Sequence, residues 1–341
     1  RLVTPGTVVE PGLLDGRRNN YLAAALLQDR EAGIAYIDIS TGEFAAAQIT
    51  SNRIESELER LRPAELILPE GSTFQKDFKT PLTWLEARQF DPDSAAELLK
   101  ETLGVSTLEG YGVSRMPLAT AAAGAIISYL RETHKEAVNS ISHLSSYSVT
   151  DYMALDENTI ANLEIFQNST TRTVSGSLLG VLDVTRTPMG ARLLRRWLGQ
   201  PLLSIPAIQE RQNAVDWLFR NHLVRDEIEH WLKSFADLER LANRIRSFTA
   251  LPREIIALRR SLEAAPELGR ALNDTSVSNL KDNLKTHTAL ISLIEKALEP
   301  EPSGPVGEGG IIRAGFSAEL DELRDIATGA KSYIARLETE E

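Results

Sequence analysis

The 341-residue sequence contains no cysteine, which excludes disulfides and thiolate-bound metals and suits a reducing compartment. Histidine is nearly as scarce: the five copies, at 134, 143, 222, 230 and 287, show no metal-ligand spacing. No long apolar run is present either. The nearest, PLATAAAGAIISYL at 117–130, is short for a bilayer span and interrupted by Ser and Thr, so no membrane partner is expected. No basic-then-apolar segment opens the chain, which speaks against secretion and for a cytoplasmic location. A Gly-x-Ser-x-Gly elbow and a Gly-x-x-x-x-Gly-Lys-Ser/Thr loop are both missing. On these grounds no catalytic, cofactor-binding or metal-binding residue is assigned.

What is present is ordinary soluble-protein composition, 42% hydrophobic and 25% charged, in a length sufficient for two domains. The net charge of −11 hides a segregation. Residues 1–130 carry 12 basic and 18 acidic side chains, whereas 172–260 carry 15 and 9. An acidic chain with one basic segment can present a local positive face to a polyanion or a partner. It can equally pair its arginines with neighbouring carboxylates on a solvated surface, which is the commoner arrangement.

Apolar patterning divides the chain. NYLAAALLQ, GIAYIDIS and EFAAAQI within 20–49, separated by Gly33 and Thr41-Gly42, predict an antiparallel meander. The first run is short and leads into a hairpin, so we read it as strand despite its alanine and leucine content. SNRIESELERLR at 51–62 predicts a helix, and ELILP at 65–69 a buried strand. Ser94 and Glu97 suggest a capping box for a helix ending at Gly104, and a further helix is expected over about 118–137. The rest reads as helical. One long helix is expected over 226–247 behind Asp226, with Ile228, Trp231, Leu232, Phe235, Leu238, Leu241 and Ile245 on its core face. Ile208, Val215, Leu218 and Phe219 form a similar core stripe on another. After a Pro/Gly-rich break at 299–310, Leu320, Leu323, Ala327, Ala330, Ile334 and Leu337 form an a/d seam on a last helix, a rod of roughly 37 Å if 25 residues long. The chain begins on Arg1 and stops inside that helical pattern at Glu341, so a longer protein is expected.

The densest basic stretch is TRTPMGARLLRRWLGQPL at 185–202. Thr187 is a good N-cap, Pro188 suits the first helical position, and Gly199 and Pro201 end the helix. Met189, Leu193, Leu194, Trp197 and Leu198 are expected on its buried face. Arg192, Arg195 and Arg196 share the opposite one. These three arginines are the candidate contacts, either docking onto acidic neighbours or reaching a DNA phosphate.

The block around that helix resembles the MutS family of DNA mismatch-repair proteins. The resemblance rests on NLE (162–164), SLLGVLD (177–183), TPMGARLLRRWL (187–198), RQNAV (211–215), DLERLANRI (237–245), PRE (252–254) and GGIIRAGFSAELDELR (309–324). It reaches back to VTPGT (3–7), YIDISTGEF (36–44) and RPAELILP (62–69), which look like the family's connector domain. The resemblance implies an RNase H-like α/β connector over 1–137 and an all-α core, or lever, domain over 138–341 that stops before the clamp. It also implies a homodimeric parent that binds mismatched duplex DNA, hydrolyses ATP with Mg²⁺ in a C-terminal domain, and recruits the MutL protein. This chain has no Phe-x-Glu mismatch reader and no P-loop. The expected role is therefore transmission between sites located elsewhere. Two other readings stay open: an RNase H-like metal-dependent nuclease using Asp38 with Glu43 or Glu65, and a helical adaptor that binds only proteins.

Overall fold

The computed structural model describes residues 3–10, 12–72, 74, 79–272, 280, 284–302, 307 and 309–340, with 330–340 described by backbone alone. The three early apolar runs form the expected meander: β1 (Tyr21–Gln28), β2 (Glu31–Asp38) and β3 (Glu43–Thr50), paired antiparallel. Asp29 (φ 53°) and Gly42 (φ 79°) supply the left-handed residues that the two tight connections need. β4 (Glu65–Pro69) lies parallel to β1, β5 (Leu82–Leu85) parallel to β4, and the two-residue β6 (Ser145–Ser146) parallel to β3. The sheet order is β5-β4-β1-β2-β3-β6, with β2 running against the other described strands. This is the mixed, helix-covered sheet expected of an RNase H-like α/β domain.

Both faces of the sheet are buried, which explains its near-continuous apolar strands. Ala23, Ala25, Ile34 and Tyr36 pack with Leu58 and Leu61 of α1 (Ile54–Leu61). On the other face Leu22, Ala24, Ala35 and Ile37 meet α3 (Pro117–Thr133) and, behind it, Leu99 of α2 (Pro92–Leu103). The alanines of β1 thus serve close approach rather than helix formation. α3 sits so near the sheet that a Cβ at Gly33 would fall 2.0 Å from the Leu118 carbonyl oxygen. A Cβ at Gly124 would fall 2.3 Å from that of Ala95 on α2.

Two helix boundaries differ from expectation. α2 begins at Pro92, capped by Asp91, whose carboxylate accepts from the Ser94 N–H at 2.8 Å. The Ser94–Glu97 pair therefore lies inside the helix, because Pro92 claims the first position; Gly104 ends it in the left-handed region as expected. The helix expected over 118–137 is two. α3 stops at Thr133, and the His134 Nδ1 accepts from the Ala137 N–H at 3.2 Å to cap α4 (Lys135–Ser140).

Helices then take over: α5 (Glu157–Asn162), α6 (Leu178–Leu182), α7 (Pro188–Gly199), α8 (Ile205–Arg220), α9 (His222–Leu232) and α10 (Leu238–Arg246). The long helix expected over 226–247 is divided into α9 and α10. Asp226 lies within α9, and the true cap is Asp237, which accepts from the Arg240 N–H at 3.3 Å. The stripe on α8 is not wholly core either, since Val215 and Phe219 are exposed.

By its contacts the chain forms two compact units. Residues 1–233 and 237–249 make the first, and 234–236 with 250–341 the second. The second contains α11 (Pro252–Ala271), α12 (Thr288–Ala297) and α13 (Ala318–Glu340). Within it Ser261 is fully buried, accepting from the Ala236 N–H at 2.9 Å and donating to the Ala257 carbonyl. Of the a/d seam on α13, the side chains of Ala330, Ile334 and Leu337 lie outside the described residues, as does part of the 299–310 break. No described helix is long and apolar enough to cross a membrane.

Replacing Gly33 by Ala drives a methyl group into the backbone of α3. A destabilisation of about 3 kcal/mol or more is expected, read as a lowered urea midpoint. Gly71→Ala serves as a control that meets no neighbouring atom, although it carries the strain of its φ of 79°.

Candidate functional site

α7 starts as its sequence dictates: the Thr187 Oγ1 accepts from the Gly190 N–H at 3.1 Å, and Pro188 occupies the first position. Its seating departs from expectation at three positions. Arg192 is only 3% exposed, whereas Leu193 and Trp197 are 44% and 41% exposed. Met189, Leu194 and Leu198 are half-buried.

The reason is the fork made by Arg192. Its Nη1 and Nη2 donate to the two carboxylate oxygens of Asp237, both at 2.7 Å. Nε and Nη2 donate to Glu239 Oε2 at 3.2 and 2.6 Å, and Nη1 also to the Gly16 carbonyl at 2.8 Å. Every guanidinium N–H is thus engaged, which is the condition for burying this cation. Asp237 caps α10 and receives the fork at once, so one carboxylate holds α10 together and fastens α7 to it. With α7 seated this way, loss of either partner would leave a buried charge uncompensated, which costs more than the partial exposure of two hydrophobes. Trp197 is covered in another way, with the Arg211 guanidinium 3.7 Å above its ring.

Arg196 reaches the sheet. Its Nη2 donates to both oxygens of Glu43, at 2.7 and 2.8 Å. Glu43 also accepts from the Tyr21 hydroxyl at 3.1 Å. Burial pushes the Glu43 carboxyl above its ordinary range, against the pull of Arg196 and Tyr21. From α10, Asn243 donates to the Ile39 carbonyl at 2.5 Å. Arg195 differs from both neighbours on α7. Burial, with Arg18 next, pulls its guanidinium below the ordinary value, and its buried Nε has no acceptor.

The carboxylates considered for metal chemistry are already engaged. Asp38 is fully buried; Oδ1 accepts from the Ser40 N–H and hydroxyl, at 2.9 and 2.6 Å, and Oδ2 from Asn19 and the Asn20 N–H, at 3.0 and 3.1 Å. Glu65 likewise accepts from Thr4, the Gly6 N–H, Thr83 and Tyr129. Four donors occupy the four lone-pair positions of each group, which clips loops to strand ends. Among the described residues no three His, Asp or Glu side chains are grouped to hold a metal. Sequence reasoning found the three arginines but missed Asp237, Glu239 and Asn243. The signal available was Asp237 itself, a good N-cap inside an apparently continuous apolar stripe.

Two family models match the chain: MutS domain II over residues 20–145 and MutS domain III over 158–340. Proteins described as DNA mismatch repair protein MutS are similar along its whole length. That of Dehalococcoides mccartyi strain 195 is 41% identical, that of Methanothrix thermoacetophila 40% and that of Trichormus variabilis 39%. In each case all of this chain is covered but only 40%, 39% and 42% of the relative, so the chain spans about two fifths of their length.

Arg192→Ala strands Asp237 and Glu239, and a loss of about 3 kcal/mol in urea unfolding at pH 7 is expected. Arg196→Ala, at a more solvated pair, should lose about 1 kcal/mol or less. A third expectation concerns pH. Arg17 donates to Asp183 at 2.6 Å. Burial opposes ionisation of Asp183, but the hydrogen bonds from Arg17 and Thr185 outweigh it and hold the carboxyl below its ordinary range. The unfolded state then binds that proton more tightly, so the contribution is complete above the ordinary aspartate pKa and is lost as pH falls through the folded value. Arg17→Ala should accordingly lower the urea midpoint at pH 7, with the difference shrinking in the acid range.

Proposed function

The chain belongs to the MutS family of DNA mismatch repair proteins, and from that membership we propose that it is the transmission segment of a longer repair protein. In this reading a connector over 1–137 and the first part of a lever core over 138–341 link a mismatch-binding region to an ATPase region. Neither the Phe-x-Glu reader nor the P-loop occurs in this sequence, so the segment performs no chemistry itself. The parent hydrolyses ATP with Mg²⁺, grips mismatched duplex as a homodimer in the cytoplasm, and recruits MutL.

One observation carries the reading. The sheet matched as domain II and the helices matched as domain III are fastened by directional polar bonds, Arg196 to Glu43 and Asn243 to the Ile39 carbonyl. Bonds of fixed geometry resist sliding, so this part of the chain moves as a body and can pass a rotation from one end to the other. Coupling of that kind is reciprocal: whatever nucleotide does to DNA grip, DNA does to nucleotide affinity. Against the nuclease alternative stands the engagement of its carboxylates: Asp38 and Glu65 each accept from four protein donors, and Glu43 pairs with Arg196.

The test uses the full-length protein bearing Glu43→Gln with Asn243→Ala. DNA-free ATP hydrolysis and nucleotide-free mismatch affinity should stay near wild type. ATP-triggered release from mismatched duplex should slow by roughly tenfold, within the usual range of coupling energies. Release at the wild-type rate refutes the proposal. The isolated chain should bind duplex weakly and without mismatch preference; a tenfold or greater preference would also refute it.

A further inference from the structure

α7 and the end of α1 enclose a cleft of about 200 Å³ whose lining includes six arginines: Arg18, Arg60, Arg62, Arg192, Arg195 and Arg196. Four of them have carboxylate partners outside the cleft's empty volume. Arg192 is held by Asp237 and Glu239, Arg196 by Glu43, Arg60 by Glu57 and Arg18 by Asp15. The remaining two have none among the described residues. Arg62, at the left-handed residue that ends α1 (φ 47°), lies over the Phe166 ring at 5.3 Å. The Arg195 Nε is fully buried and has no acceptor among the described residues.

A buried N–H without an acceptor is rare in a folded protein, because the desolvation of that group goes uncompensated. Here the group is also a cation with five other guanidinium groups lining the same space, so repulsion adds to the penalty. An anion in the cleft relieves that repulsion. Guanidinium forks match the oxygens of a tetrahedral oxyanion, and the cleft has room for a phosphate or diphosphate group. The lining holds no carboxylate side chain that would repel it.

We propose that this cleft is a phosphate-binding site, with Arg195 and Arg62 as its unpaired ligands and Arg192 and Arg196 as held cations that shape it. The site is independent of the transmission role above and stands or falls by itself. The phosphate can arrive free, as inorganic phosphate or diphosphate, or within the backbone of a nucleic acid duplex; both present the same oxyanion.

Thermal unfolding of this chain in sodium phosphate or diphosphate, against sodium chloride of equal ionic strength, tests the proposal. A saturable rise in melting temperature of roughly 3 °C is expected in wild type. It should vanish in Arg195→Ala and weaken in Arg62→Ala. In chloride, Arg195→Ala should melt no lower than wild type, since it removes an unsatisfied cation. Calorimetric titration of diphosphate into each variant, with folding checked by circular dichroism, gives a second readout. Displacement of diphosphate by a short duplex assigns the site to backbone phosphate, and failure to displace assigns it to the free anion. Equal melting shifts in phosphate and chloride, or a diphosphate affinity that survives both substitutions, overturns the proposal.

Discussion

The seating of one guanidinium governs the first unit. Arg192 leaves water almost completely, which is tolerable only because Asp237, Glu239 and the Gly16 carbonyl together receive all of its N–H groups. Those acceptors come from the loop before β1 and from the start of α10. The cation can therefore be satisfied only when loop, α7 and α10 are all in place. This makes the interaction a condition on assembly rather than a surface embellishment. It turns Arg192 of α7 inward and leaves Leu193 and Trp197 to the outside.

Around that fastening, polar groups do much of the work that apolar packing does in the sheet. Asp38 and Glu65 hold their loops with four donors each, and Asn243 reaches a strand-end carbonyl from α10. Such bonds are directional, whereas hydrophobic contact is not. The transmission role proposed above draws on the first kind. Arg62 and Arg195 nevertheless form no close ion pair among the described residues.

The sheet was largely legible in the sequence because strand alternation and turn residues are local. Thr41-Gly42 marks a hairpin whatever the rest of the chain does, and Thr187-Pro188 marks a helix start in the same way. What escaped was non-local. Amphipathicity divides α7 into two faces but does not say which one turns inward; that depends on carboxylates 45 and 47 residues away. The apolar stripe running through Phe235 concealed a break that Asp237 imposes by capping α10. Pro92 and His134 shifted two boundaries by capping chemistry that competes with longer patterns. The cationic cleft was only half visible, since Arg18, Arg60 and Arg62 join the three arginines of α7 through the tertiary fold alone.

The close seating of α3 on the sheet has a consequence for how this part of the molecule tolerates change. Beside Leu22 and Ile37, its closest approach is lined by small residues: Ala24, Gly33 and Ala35 on the strands, Ala119 and Ala122 on the helix. Little side-chain volume is available to delete there, so the usual injury to a core, the empty cavity, hardly applies. Swelling is the danger instead. At those small positions tolerance should follow residue size, with serine outranking valine and leucine even though it is the most polar of the three.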